Sequence, residues 1–204
     1  PNDFISLFEK NGFILKLDLF VFEKVCKIIR SWLDAGAAPV PISVNLSRTY
    51  LDSLLFLDNL EKIRKQYNVP SEYIELELTE SIVYENMGLL LTIINKIHSL
   101  GYTCSIDDFG SGYSSLNLLR NVPVDTLKLD RGFFLESEES PERGNAVITS
   151  VIDLARKLNM KTVSEGVESV VQVNFLKNAK CDLVQGYVFS KPVPIPEFEK
   201  EVFG

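Results

Sequence analysis

A chain of 204 residues, 46% hydrophobic and 24% charged, has the makings of one buried core, which excludes the disordered and fibrous classes. A formal net charge of −7 argues against a basic groove along a nucleic acid polymer, but leaves room for a small anion beside a divalent metal. Cys26, Cys104 and Cys181 lie far apart and read as reduced, buried thiols; with no signal peptide and no apolar run near the ~18 residues of a membrane span, a cytoplasmic domain is expected. The chain opens at Pro1, not Met, and reads as part of a longer polypeptide.

Helical spacing is expected over 3–10 and 17–35, the second carrying Leu19, Phe20, Phe22, Val25, Ile28, Ile29, Trp32 and Leu33 at helix-like intervals. A strand follows at Ile42–Leu46, then a helix over 50–67 closed by Asn68 and Pro70, a strand at Tyr73–Leu78 and a helix over 84–100 ended by Gly101. Tyr102–Asp107 is a strand, followed by a Gly/Ser loop and a helix through Leu119. Thr126–Asp130 is a strand and 140–158 a helix. Strand Lys161–Glu165, helix 169–178, strand Leu183–Tyr187 and a helix from Pro196 complete the chain. Strands separated by helix-length segments predict a parallel sheet in one domain spanning residues 1–204.

Six of these strands end in a polar group: Asn45, Glu77, Asp107, Lys128, Glu165 and Gln185. Alternation separates two faces. Ser43, Asn45 and Ser47 oppose Ile42, Val44 and Leu46; Glu75, Glu77 and Thr79 oppose Ile74, Leu76 and Leu78; Thr126, Lys128 and Asp130 oppose Leu127 and Leu129. A doubly wound sheet covered by helices on both sides needs two apolar faces, and no Gly-x-Gly-x-x-Gly turn follows the first strand. A (β/α)8-type barrel explains one polar face, with strand ends meeting at one mouth, and about six βα units are counted.

Burying that many charges is costly unless they pair or hold a metal. Asn45, Glu77, Asp107, Asp108 and Glu165 offer the oxygen donors that suit Mg²⁺ or Mn²⁺. Asp107 and Asp108 are adjacent, and where a strand turns both can converge on a two-metal site. Lys128 among acids either neutralises Glu75 or Glu77, or orients an attacking water and stabilises phosphate charge. The loop Phe109–Ser115 is a weak phosphate-cradle signal, and His98 reads as an ordinary surface residue.

Asn-Leu-Ser at 45–47, Glu-Leu-Thr-Glu-Ser at 77–81, Asp-Asp-Phe-Gly-Ser-Gly-Tyr-Ser-Ser-Leu at 107–116, Pro-Val-Asp-Thr-Leu-Lys-Leu-Asp-Arg at 123–131, Ser-Glu-Gly-Val-Glu-Ser at 164–169 and Gln-Gly-Tyr-Val-Phe-Ser-Lys-Pro at 185–192 together resemble the EAL domain family. The resemblance implies a modified (β/α)8 barrel that hydrolyses cyclic di-GMP to linear pGpG with two metals. It implies that Asn45, Glu77 and Asp107 ligate one metal, that Asp107 bridges to a second held by Asp108, and that Lys128 and Glu165 position or deprotonate the water. Gln185 would lie beside them. Glu80 would anchor the 107–116 loop, which also contributes to a homodimer in the family. The family's Glu-Ala-Leu motif, whose Glu is a further ligand, occurs nowhere in these residues, so the first strands are expected to be missing and activity impaired. Smaller departures are Ser111 for Thr, Ser164 for Ala and Gly132 for Ser.

Two other readings compete. One is a catalytically silent cyclic di-GMP receptor or dimerisation module; the other is Mg²⁺-assisted proton abstraction beside a carboxylate. An upstream sensor or cyclase domain is a further expectation from the resemblance.

Overall fold

Asn11 and Gly12 decide where the first long helix begins. Gly12 adopts φ 72° and closes α1 (Ile5–Asn11), while Asn11 Oδ1 accepts the Phe13 amide at 2.9 Å. Helix α2 (Ile14–Asp34) therefore starts three residues before the expected position 17. The computed structural model describes residues 5–47, 55–79, 87–110, 116–135 and 141–204.

The strands are β1 (Ile42–Leu46), β2 (Ile74–Thr79), β3 (Thr103–Phe109), β4 (Thr126–Leu129), β5 (Lys161–Ser164) and β6 (Leu183–Val184). They form one six-stranded sheet in chain order, β1-β2-β3-β4-β5-β6, parallel at β1–β2, β2–β3, β4–β5 and β5–β6. A doubly wound sheet reverses its order at a switch point; this one never does, and the order is that of a barrel winding one way. Helices α3 (Leu55–Gln66), α4 (Met87–Ser99), α5 (Leu116–Asn121), α6 (Gly132–Leu135), α7 (Pro141–Lys157), α8 (Val170–Asn178) and α9 (Ile195–Phe203) fill the connections, giving the six expected βα units. Short α6 was not expected, because four residues carry too little periodicity to detect.

The chain divides into two compact units, Pro1–Asp107 with Arg120–Asp125, and Asp108–Leu119 with Thr126–Gly204. In the first, α2 buries Phe22, Val25, Cys26, Ile29 and Trp32 at three- and four-residue steps and packs on α3 and β1. Leu60, Ile74, Leu76, Ile94 and Ile97 are fully buried there. Glu61 on α3 is buried among them, accepting from Arg64 Nη2 at 2.7 Å and from Tyr102 Oη at 3.1 Å. Burial alone would raise its carboxyl, but hydrogen bonds from Arg64 and Lys65 outweigh that and hold it below the ordinary range. In the second unit, Ile148, Val151, Ile152 and Ala155 give α7 its buried stripe, and α7 packs on β5.

Each unit uses an aspartate at the amino end of a strand in the same way. Asp125, just before β4, accepts the Cys104 amide at 2.8 Å and meets His98 Nε2 at 2.9 Å through the same Oδ2. Asp182, just before β6, accepts the Thr162 amide at 2.8 Å and its hydroxyl at 2.9 Å. Cys104 and Thr162 are the second residues of β3 and β5, so each carboxylate satisfies an amide at a strand's foot. His98 is thus a half-buried partner of Asp125 rather than an ordinary surface residue. All three cysteines are free. Burial pushes the Cys26 thiol up to about 12 and raises Cys104 and Cys181 as well, which leaves little reactive thiolate.

Candidate active site

The register of the first unit brings its polar residues together. Ser43 lies opposite Glu75, and its hydroxyl donates to Glu75 Oε1 at 3.1 Å. One step toward the carboxyl end, Asn45 is opposite Glu77, and Glu77 is opposite Ser105. A further step on, Asp107 is opposite Thr79. Residues in register, and residues two apart along a strand, share a face. Asn45, Glu77, Ser105 and Asp107 therefore occupy one face of three adjacent strands. Glu77, Ser105 and Asp107 are buried, while Asn45 at the end of β1 is exposed.

Strict alternation would send Asp108 to the opposite face from Asp107. It does not, because Asp108 takes φ 56°, a left-handed conformation that a non-glycine residue adopts at a cost of ~1–3 kcal/mol. The strand was expected to end at Asp107 and instead runs to Phe109, so the turn of direction occurs inside β3. Asp108 and Glu165 bring carboxylate oxygens within 4.8 Å of each other. Gly110 follows with φ 100°; a Cβ there would lie 2.0 Å from the Phe133 ring, so the loop after the aspartates depends on glycine.

In the second unit, Lys128 lies opposite Val163, and Glu165 is two residues beyond Val163 on the same face. Lys128 Nζ and Glu165 Oε1 form an ion pair at 2.7 Å, with Lys128 buried. The described ion pair of Lys128 is with Glu165; a pair with Glu75 or Glu77 was one of two alternatives for this lysine. Glu165 and Gln185 each stand one residue past a strand and continue its ladder. The Glu165 amide donates to the Leu129 carbonyl at 2.9 Å, and the Gln185 amide to the Ser164 carbonyl at 2.8 Å. Because Val163 is opposite Leu183, Gln185 shares the face of Lys128 and Glu165. Strand β6 stops at Val184, short of the expected Tyr187. Gly186 backs onto Val167, a Cβ there would lie 2.1 Å from the Val167 carbonyl oxygen, and the Phe189 amide closes a turn on Gly186.

Glu80 lies outside the described residues, as does the 111–115 part of its expected loop. Of the other expected residues, Asn45, Glu77 and Asp107 share one face of the first unit. Lys128, Glu165 and Gln185 share one face of the second, to which Asp108 also belongs. Two carboxylates as close as those of Asp108 and Glu165 repel each other unless a cation lies beside them, and amide and carboxylate oxygens are the donors a hard divalent ion takes. The residues present therefore fit a hard divalent cation. A carboxylate held by a buried ammonium is arranged to accept a proton from a water while the ammonium stabilises negative charge nearby. Ser105 was not singled out as a site residue by sequence; its place two residues before Asp107 on the polar face was the available signal.

A family description, the EAL domain, matches residues 1–192. Cyclic di-GMP phosphodiesterase NbdA of Pseudomonas aeruginosa is 38% identical over 200 residues, covering 98% of this chain and 25% of NbdA. Cyclic di-GMP phosphodiesterase PdeR of Escherichia coli is 34% identical over 200 residues, covering 98% of this chain and 30% of PdeR. The chain thus spans between a quarter and a third of the length of these curated relatives. The solved PaMucR phosphodiesterase, in complex with c-di-GMP, superposes with a TM-score of 0.89 at 34% identity, over 97% of this chain and 80% of that one. The EAL enzyme Bd1971, with cAMP and cyclic-di-GMP bound, superposes with a TM-score of 0.90 at 31% identity, over 99% of this chain and 55% of that one. The singly wound parallel sheet, the strand-end acids and these matches agree: the fold is TIM-barrel-like, and the chain belongs to the EAL domain family.

Proposed function

We propose that this chain hydrolyses cyclic di-GMP to linear pGpG, with Mg²⁺ or Mn²⁺ held in a two-metal site. The observation that carries the reading is the ion pair of buried Lys128 with Glu165 at 2.7 Å, with Glu165 also within 4.8 Å of the Asp108 carboxylate. A proton acceptor and a cation next to an acid suited to metal support that reading. The relatives' names and the cyclic di-GMP complexes of the solved PaMucR and Bd1971 structures support the substrate.

Asn45, Glu77 and Asp107 would hold one ion, and Asp107 with Asp108 the other. Bound there, the ions would polarise the phosphate and lower the pKa of an attacking water. Glu165 takes that water's proton, and Lys128, paired with it at 2.7 Å, orients it. As the new P–O bond forms, the bond from phosphorus to the 3′ oxygen breaks, which opens the ring and leaves the 5′-phosphate of pGpG. Gln185, on the face of Lys128 and Glu165, contacts the substrate, and Glu80 anchors the 107–116 loop. The 204 residues contain no Glu-Ala-Leu glutamate, and turnover is expected to be impaired without it. We further propose one domain over 1–204, a homodimer, a cytoplasmic setting and a linked sensor or cyclase domain. No helix among the described residues is long and apolar enough to cross a membrane.

The test is release of pGpG from cyclic di-GMP, followed by chromatography with Mg²⁺ or Mn²⁺ supplied. Glu165→Gln should lower the rate by ~10²–10⁴-fold while cyclic di-GMP still binds. Tight binding without metal-dependent turnover, including in a chain that carries a Glu-Ala-Leu glutamate upstream, would establish the receptor reading instead.

A further inference from the structure

Ser105 stands out among the buried polar residues of the first unit. It is 0% exposed, and its Oγ has no hydrogen-bond partner among the described residues. A buried hydroxyl left in that state costs about 1–3 kcal/mol relative to a satisfied one. Its neighbours on the same face are the acids proposed to hold metal: Glu77 directly opposite in register, and Asp107 two residues along the strand. Opposite neighbours on adjacent parallel strands stand ~4.8 Å apart, within reach of a hydroxyl once the carboxylate swings to face an ion. Ser105 is too small to ligate across that distance and cannot be charged, but it can donate one hydrogen bond.

We propose that Ser105 is a positioning residue for the metal site, donating its hydroxyl to the Glu77 carboxylate oxygen that faces away from the ion. This rests on the metal-dependent reading above and goes beyond it by assigning a residue that is not itself a ligand. A metal-ligating carboxylate with one oxygen on the ion has the other free to accept, and a donor there fixes its rotation and reduces the entropy lost on binding. Losing such outer partners typically costs 10–100-fold in metal affinity. The buried Ser105 hydroxyl, without a partner among the described residues, is thus a donor suited to that carboxylate oxygen.

The experiment uses the 204-residue chain and Mn²⁺ alone, with affinity read by electron paramagnetic resonance of free Mn²⁺ and fold by circular dichroism melting without metal. Ser105→Ala should weaken Mn²⁺ binding by about tenfold or more, while the metal-free melting temperature stays level or rises. Ser105→Cys, close in size and a weaker donor, should fall between the two. In a Glu77→Gln background, Ser105→Ala should cause no further loss. Mn²⁺ affinity within twofold of the parent overturns the assignment, as does a loss that adds in full to that of Glu77→Gln. A fall in metal-free melting with unchanged affinity would make Ser105 structural and also overturn it. If the parent chain binds Mn²⁺ and only the Ser105 arms fail, the metal site stands without this residue. If the parent and a chain with the Glu-Ala-Leu glutamate restored both bind none, site and inference fall together.

Discussion

Asp108 and Ser164 are neighbours of expected site residues that behave in opposite ways. Asp108 gives up a comfortable backbone to keep its carboxylate near Glu165, which is strain placed where a ligand can repay it. Ser164 has no such return. Its register partner is Leu129, which places it on the face away from Lys128, fully buried and with Oγ lacking a partner among the described residues. Alanine is usual at this position in the family resemblance described above. Ser164→Ala should therefore stabilise the chain by about 1 kcal/mol, read as a higher urea midpoint at unchanged slope. A lower midpoint would show that the hydroxyl is satisfied after all. Alternation in the sequence identified the face carrying Asn45, Glu77, Lys128 and Glu165, because strand geometry allows few alternatives. It missed the Asp108 backbone and the Glu165 partner of Lys128, since both depend on conformation and register that no local pattern encodes.

Among the elements, the strands were located within a residue or two at most of their ends, and the misses have local causes. Helix α2 began early because Asn11 and Gly12 stop the preceding turn, and β6 was short because Gly186 must back onto Val167. The aspartates at the strand feet were not legible at all, as nothing in Val-Asp-Thr or Cys-Asp-Leu separates a staple from a turn. Asp182→Ala should cost about 1–3 kcal/mol, because the buried Thr162 amide and hydroxyl lose their acceptor together. Asp182→Asn, which keeps one acceptor oxygen, should lose less. Thermal melting measures both, and Mn²⁺ affinity should be unchanged in both; altered affinity would mean that the foot of β5 is coupled to its far end.

For the molecule as a whole, acid should act through Glu61. Its carboxyl is held below an unfolded value of 4.5, so its stabilising contribution is complete above that pH and is lost as pH falls through the depressed folded value. Denaturant midpoints taken from pH 7 down to 3 should fall steeply below about 4.5 for the parent. Glu61→Gln should start from a lower midpoint and show a flatter acid limb. An equally steep limb in Glu61→Gln would assign the acid sensitivity to other carboxylates.

The two ends of the strands therefore answer to different demands. At the amino ends, aspartates close the backbone's own hydrogen bonds; at the carboxyl ends, acids and a lysine are gathered against their mutual repulsion. Under the proposed function, removing Asp108 would end turnover and relieve its repulsion with Glu165 at once, so the fold should survive it. If that function holds, descendants of such a chain could lose turnover and keep a scaffold that still recognises the ligand, a route from enzyme to receptor that needs no change at the strands' feet.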